Sequence, residues 1–254
     1  MQGSRQENYT LGYSRTATDF VGRRTLDSHG AFFIPHLKPG MAVLDCGCGP
    51  GSMTAGIAAR IGSGRVIGVD MDGSQISSAQ ERVAQAGLAN AAFQEASVYA
   101  LPFADGQFDA LFSHALFEHL VDPGRAAREC FRVLRPGGVI GIATPDWGGF
   151  IVAPPSAEMA AAIAIYEDEQ NKNGGNTRVG RQLGQILTAA GFQGAALSAR
   201  YENYAPLTVI GELMAFQLER DGHPQHAETF RQWQTGAGGM FAQAWVSCVA
   251  RKAA

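Results

Sequence analysis

No run of lysine and arginine interrupts this chain, no cysteines show metal-ligand spacing, and no apolar stretch is long enough to cross a bilayer. The first absence bears on partners. Across 254 residues, 20 basic and 23 acidic side chains leave a net charge of −3. Nothing advertises a phosphate-backbone interface, so a nucleic acid is not the expected partner. The cysteines stand at 46, 48, 130 and 248 without a CxxC pair or a Cys/His pattern. That excludes a disulfide framework or a zinc site as the organising element and fits buried thiols in a reducing cytoplasm. The longest apolar stretch, Met159 to Tyr166, falls far short of the roughly 20 residues a spanning helix needs. The opening residues MQGSRQENYT lack an apolar signal core, so the expected location is cytoplasmic. Internal repeats and low-complexity linkers are missing as well.

What is present is a rhythm. Short apolar runs at Met41–Asp45, Arg65–Asp70, Ala91–Gln94, Phe108–Ser113 and Val139–Ala143 read as strands. Helical patterns separate them at Ser52–Ile61, Ser74–Ala86 and Pro123–Leu134, with a further helix expected from Ser28 to about Leu37. Such alternation indicates βαβ units and a parallel sheet. After Thr144 the rhythm breaks into Gly, Pro and an Ala-rich helix, which reads as a covering insertion. Val179–Ala190 returns to helix, Ala195–Tyr204 to strand, 206–235 to two helices, and Trp245–Lys252 to a final strand. The simplest description of residues 1–254 is one α/β domain. It has an N-terminal arm at 1–27, a ligand-binding core at 28–145, a cap at 146–180 and a C-terminal part at 181–254.

The strongest local signal is Val43-Leu44-Asp45-Cys46-Gly47-Cys48-Gly49-Pro50-Gly51, an apolar strand running through alternating glycines into a helix. Glycine permits positive φ and close approach of backbone to ligand, and the helix start adds amide donors. The third glycine falls one residue early for the dinucleotide fingerprint, because position 52 is Ser. Asp45 could help fix a ligand ammonium. Asp70, at the end of the second strand, could accept hydrogen bonds from both hydroxyls of a ribose.

Three segments together resemble class I S-adenosylmethionine-dependent methyltransferases. Asp45–Gly51 is similar to their first motif. Ala100-Leu101-Pro102-Phe103-Ala104-Asp105-Gly106-Gln107-Phe108-Asp109 is similar to a segment of the ubiquinone and menaquinone methyltransferase group. Arg132-Val133-Leu134-Arg135-Pro136-Gly137-Gly138 resembles the turn before that group's fifth strand. The resemblance implies a Rossmann-like, seven-stranded, mostly parallel sheet with its last strand antiparallel, helices on both faces and a small helical cap. It also implies S-adenosyl-L-methionine as cofactor and S-adenosyl-L-homocysteine as product. Gly47, Cys48, Gly49 and Gly51 would lie along the methionyl and ribose parts, with Asp45 nearby, Asp70 on the ribose and Met71 beside the adenine. Ser97 stands where the family usually has an acid toward the adenine amino group, so the Val98 amide and pocket shape would carry more of that recognition. Ser113, ending the fourth strand, would also border the cofactor. Tyr9, in a segment similar to one that folds over the cofactor in some of these enzymes, would approach the methionyl carboxylate.

Methyl transfer is an in-line displacement from an activated donor, so alignment and water exclusion matter more than a catalytic signature. His114 and His119 follow the fourth strand, and histidine is tunable near neutral pH. Five residues apart, they would not share one face of a regular helix. In related sugar and quinone enzymes a His near the position of His119 and an acid after the fifth strand serve as base and orienter. The resemblance therefore implies catalytic His119 and Asp146, with His114 as a further candidate. Trp147, Phe150 and Tyr166 offer apolar walls, and Arg178 and Arg181 could clamp an anion. The expectation is methyl transfer to a small, largely apolar quinone-type or secondary metabolite, with a homodimer or higher oligomer compatible with the chain. Alternatives are cyclisation on the same scaffold, a non-catalytic cofactor-binding protein, and a nicotinamide oxidoreductase, the last disfavoured by the glycine spacing.

Overall fold

A computed structural model describes residues 8–254; the first seven residues of the expected arm lie outside it. The arm holds helix α1 (Arg15–Gly22) and leads into α2 (Leu26–His29), then strand β1 (Ala42–Cys46) and α3 (Ser52–Ile61). The alternation continues with β2 (Arg65–Asp70), α4 (Gly73–Gln85), β3 (Ala91–Glu95), β4 (Phe108–His114), α5 (Pro123–Val133) and β5 (Leu134–Ala153). Then follow α6 (Ala157–Lys172), α7 (Leu183–Ala189), β6 (Gln193–Asn203), α8 (Thr208–Arg220), α9 (Pro224–Trp233) and β7 (Met240–Arg251).

Among the described residues seven strands form one sheet in the order β3-β2-β1-β4-β5-β7-β6. β1 pairs parallel with both β2 and β4, whereas β7 runs antiparallel between β5 and β6. The sheet therefore switches direction of growth at β1, and the carboxyl ends of β1 and β4 flank the crevice where such sheets take ligands. Both faces are covered, and residue alternation shows it. Leu44 and Leu111 pack into one cluster with α5 and α7, while their neighbours Val43, Ala110 and Phe112 pack into another with α2 and α3. A third cluster gathers Leu11 and Phe20 of the arm with Trp147, Tyr166, Met214 and Phe241, so the arm and the cap share one core.

Several expected elements differ. The helix from Ser28 to Leu37 is instead α2, which Gly30 closes, and a separate 3-10 turn at Ile34–His36. Pro35 sits at the start of that turn, where its missing N–H costs nothing, and a helix continuing through it would lose a bond there. The fifth strand does not stop at Ala143. It pairs with β7 through Asp146, breaks register, and resumes from Phe150 to Ala153 against Gln243–Met240. Trp147, Gly148 and Gly149 bulge out between, and a Cβ on Gly149 would lie 2.9 Å from that of Ala244. The run Phe150-Ile151-Val152 has the β-branched and aromatic character of a strand. β7 accordingly begins at Met240, five residues before the expected Trp245.

The segment Leu101–Asp105 is held to the last turn of α5 by one side chain. Arg132 donates to the carbonyls of Phe103 and Leu101 at 2.7 and 2.9 Å and to Asp105 and Glu129 at 2.7 and 2.8 Å. Glu129 in turn accepts the Leu101 amide at 2.8 Å. Two of the three motifs read from the sequence are thus the two sides of one contact.

Gly141 of β5 faces Phe33, and a Cβ there would fall 2.2 Å from the ring. Gly141→Ala should cost about 1–3 kcal/mol by overpacking, seen as a lowered melting temperature. Adding Phe33→Leu should restore part of the loss rather than add its own full cost.

Candidate active site

β1 ends where the chain must turn sharply without leaving the sheet. Gly47, Gly49 and Gly51 take φ of +72°, +50° and +76°, values that side chains rarely tolerate. The amides of Gly47 and Cys48 both donate to the carbonyl of Val69, at 2.8 and 3.0 Å, and tie the loop to β2. Gly51 is the N-cap of α3 and brings no side chain to it, so the first-turn amides of that helix are left for a ligand.

The loop floors a cleft of about 140 Å³ at the carboxyl ends of the central strands. Of the residues expected at a cofactor, Tyr9, Asp45, Gly47, Cys48 and Gly49 line it from one side. Asp70, Met71, Ser97 and Val98 line it from the other, and His114 and His119 close its end. A Cβ on Gly49 would meet nothing nearer than 3.9 Å and would project into this cradle. Three expected residues are not brought to the cleft. Gly51 packs on α4, where a Cβ would come 2.7 Å from that of Ala79. Ser113 is fully buried and donates to the Cys46 carbonyl at 3.0 Å. Asp146 is buried against Arg181, which reaches it with two bonds of 2.9 and 2.7 Å, and it also accepts the Gly148 amide. That guanidinium holds the Asp146 carboxyl below its usual value against the opposing effect of burial. Arg181 is thereby committed, and Arg178 pairs with Glu167 at 3.5 Å, so neither waits at a cavity.

Beside the cleft lies a smaller chamber of about 40 Å³, walled by Phe20, Trp147, Tyr166, Tyr204 and Trp245. Arg24, Ala115 and His119 line both cavities and form the seam between them. Ala115 has φ +55°, strain placed where β4 ends. The ring of His119 meets that of Tyr9 edge-on at 4.7 Å, and neither of its nitrogens has a hydrogen-bond partner. Glu118 also faces the chamber; it accepts Thr144 Oγ1 at 2.5 Å and lies 3.6 Å from His119 Nε2. His114 stacks on Trp245 at 4.6 Å.

Burial moves these groups in opposite directions. It raises Asp45, which accepts Thr54 Oγ1 at 2.6 Å, to about 7, and Glu118 likewise to about 7. It lowers His119 to about 3 and takes His114 well below its ordinary value. Asp70 is also raised by burial, against the bonds it accepts from the Gly49 and Asp72 amides at 2.9 and 3.2 Å. The imidazoles are therefore neutral near pH 7, and the two deepest acids sit near their midpoints.

Sequence reasoning passed over Arg24, Gln75 and Thr18, all of which line the cleft. Arg24 and Thr18 belong to the arm, which carries no motif. The packing of Phe20 and Leu11 into the cap core, with hydrogen bonds from Gln217 and Arg220 to the Thr10 carbonyl, brings that arm to the cleft.

A doubly wound sheet carries a glycine-floored cleft at its switch point, an acid ending β2, and a second chamber that shares lining residues with the cleft. Comparison with known proteins agrees. Residues 44–142 match a methyltransferase domain family. A methyltransferase of Schizosaccharomyces pombe is 30% identical over 199 residues, covering 76% of this chain and 68% of that protein. The ubiquinone/menaquinone biosynthesis C-methyltransferase of Vibrio cholerae is 33% identical over 118 residues, covering 46% and 43%. The solved structure of a Bacillus halodurans protein described as a methyltransferase superposes with TM-score 0.67 at 16% identity, over 89% of this chain and 98% of that one. The chain spans about half the length of most of the curated relatives it matches. It belongs to the class I S-adenosylmethionine-dependent methyltransferase family.

Burial lifts the Asp45 carboxyl from its ordinary value of 3.8 to about 7, so the folded state holds the proton over that window. Its contribution to stability is lost as pH rises from about 4 to about 7. Melting curves of Asp45→Asn should gain on those of the parent across that window and run parallel to them above it.

Proposed function

We propose that this chain transfers a methyl group from S-adenosylmethionine to a small, largely apolar acceptor held in the aromatic chamber. The observation that carries the reading is the seam: the cofactor-type cleft and the chamber share Arg24, Ala115 and His119 in their lining. When bound, the cofactor supplies a methyl group already activated on a sulfonium, so the protein's work is placement. The cleft fits such a ligand on its own terms, since the Gly49 cradle is open and the α3 amides lack a side-chain cap. Asp70 stands ready to accept the ribose hydroxyls. Asp45, in its ionised form, offsets the ammonium of the amino-acid end. Met71, 60% exposed, provides an apolar wall, and Ser97 and Val98 border the outer end.

His119 is too weak a base to hold a proton near neutral pH, with burial setting it at about 3. Its neutral ring accepts a hydrogen bond from an incoming hydroxyl or amine and fixes its direction. Glu118, at about 7 and 3.6 Å from Nε2, is matched to take the proton once the nucleophile has reacted. The walls of Trp147, Tyr166 and Trp245 favour an acceptor with an aromatic or other apolar body. The covering of the chamber by the arm excludes water from the transfer.

Calorimetric titration with S-adenosylmethionine, with NAD as control, tests the cofactor. The parent should bind the first and not the second, and Gly49→Val and Asp70→Ala should each weaken binding at least tenfold, roughly the loss of one charge-assisted contact. Binding of NAD alone would overturn the reading. An acceptor screen by product mass then separates methyl transfer, with a gain of one methyl, from cyclisation, with no gain. Once an acceptor is in hand, His119→Ala should lower kcat by about 100-fold or more while the cofactor Kd changes little. Unchanged turnover would remove His119 from the mechanism.

A further inference from the structure

β5 outlasts β4 on the side where the two cavities lie. The last pair between these strands joins His114 to Ala143, and Thr144 then pairs with Val246 of β7. The chain leaving β4 folds back over this step. Ala115 donates its amide to the Ala143 carbonyl at 2.9 Å, and Phe117–His119 closes into a 3-10 turn. Thr144 and Glu118 meet across the step, both buried, and Thr144 Oγ1 donates to Glu118 Oε2 at 2.5 Å.

Glu118 is held at both ends. Its main-chain carbonyl accepts the Asn176 amide at 2.8 Å and Gln170 Nε2 at 3.2 Å, so the cap fixes its backbone. Among the described residues Thr144 is the side chain that hydrogen-bonds its carboxyl. Threonine suits that task, because two heavy atoms on Cβ restrict χ1 and give the hydroxyl few directions. With Oε2 taken by Thr144, Oε1 is the oxygen 3.6 Å from His119 Nε2. The bond therefore aims the carboxyl as well as satisfying it.

We propose that Thr144 is the positioning residue of the carboxyl in the site, turning Glu118 so that its other oxygen faces His119 and the acceptor. The proposal deepens the methyl-transfer reading and rests on it for the role of Glu118. A donor aimed at a carboxylate also stabilises its charge. Burial raises Glu118, while the Thr144 bond, its own backbone amide and the Arg24 charge lower it, leaving it at about 7. The other titratable groups facing it stay neutral there. Burial raises Tyr9 of the arm and Tyr166 of α6, and it lowers His119 to about 3. Removing the Thr144 hydroxyl thus leaves Glu118 protonated at neutral pH and unable to take a further proton.

Carbon NMR of protein labelled with ¹³C at the glutamate carboxyls tests the proposal, with Glu118→Gln identifying the Glu118 signal. In the parent that signal should titrate at about 7. Thr144→Val and Thr144→Ala should each raise the midpoint by about one unit or more, and Thr144→Ser, which keeps the hydroxyl, should move it by less than about half a unit. The ¹⁵N resonance of His119 Nε2 should step at the Glu118 midpoint in the parent and in Thr144→Ser, and the step should shrink in the other two. Thr144→Ala stands in if melting curves show that Thr144→Val does not fold. The proposal is overturned if the midpoint and the step stay in place without the hydroxyl. A shift in Thr144→Ser as large as that in Thr144→Ala overturns it as well, because the cause is then packing. Calorimetry with S-adenosylmethionine on the same preparations keeps the two readings apart. The variants should bind it as the parent does. A parent that does not bind it defeats the methyltransferase reading, and the carbon titration still decides whether Thr144 sets Glu118.

Discussion

The amides of Gly47 and Cys48 share the carbonyl of Val69, and the geometry of the whole site hangs from that pair of bonds. They oblige the chain leaving β1 to cross the end of β2 before it enters α3, which only left-handed backbone allows. With the loop in that path, Gly49 presents its amide to Asp70 and Gly51 brings α3 close against Ala79 of α4. The same turn leaves a gap between the ends of β1 and β4, because β1 has β2 on one side and β4 on the other. A cleft at this place follows from strand order, and its depth follows from the missing side chains.

Enclosure sets the chemistry of what lines the two cavities. The arm and the cap share a core through Phe20, Leu11, Trp147 and Tyr166, and that core roofs the seam. In the resulting low-dielectric space acids rise and imidazoles fall, so Asp45 and Glu118 move toward neutrality while His114 and His119 lose their charge. Arg24 keeps its place there by lying over aromatic faces. The two cavities thus share one cation in their lining, with neutral histidines and titratable acids beside it.

Much of this was legible beforehand. The first four strands and the glycine turn between Asp45 and α3 lie where alternation and spacing put them, and the antiparallel last strand is the one the family resemblance implied. Local signals sufficed there because turn conformation and strand alternation depend on near neighbours. The misses have a different cause. Asp146, expected just after the fifth strand, lies within it, and Arg181, thirty-five positions on, draws its carboxylate into an ion pair outside both cavities. β5 outran its expected end because β7 offered it a partner from Met240 to Gln243. The helix expected from Ser28 gave way to two short turns around Pro35.

By itself the sequence determined the class of sheet, the glycine turn that floors the cleft, and the acids at the ends of β1 and β2. Each of these is written in residues close together along the chain, where backbone sterics and side-chain alternation act directly. Only the tertiary structure decided which polar groups share an enclosure. Arg24 from the arm, His119 after β4, and Gln243 and Trp245 from β7 come from three distant parts of the chain and meet around one small chamber. The charge states of the histidines, and the unpartnered nitrogens of His119, Gln243 and Trp245, arise from the burial that this meeting creates. That burial depends on long-range packing that no local pattern records.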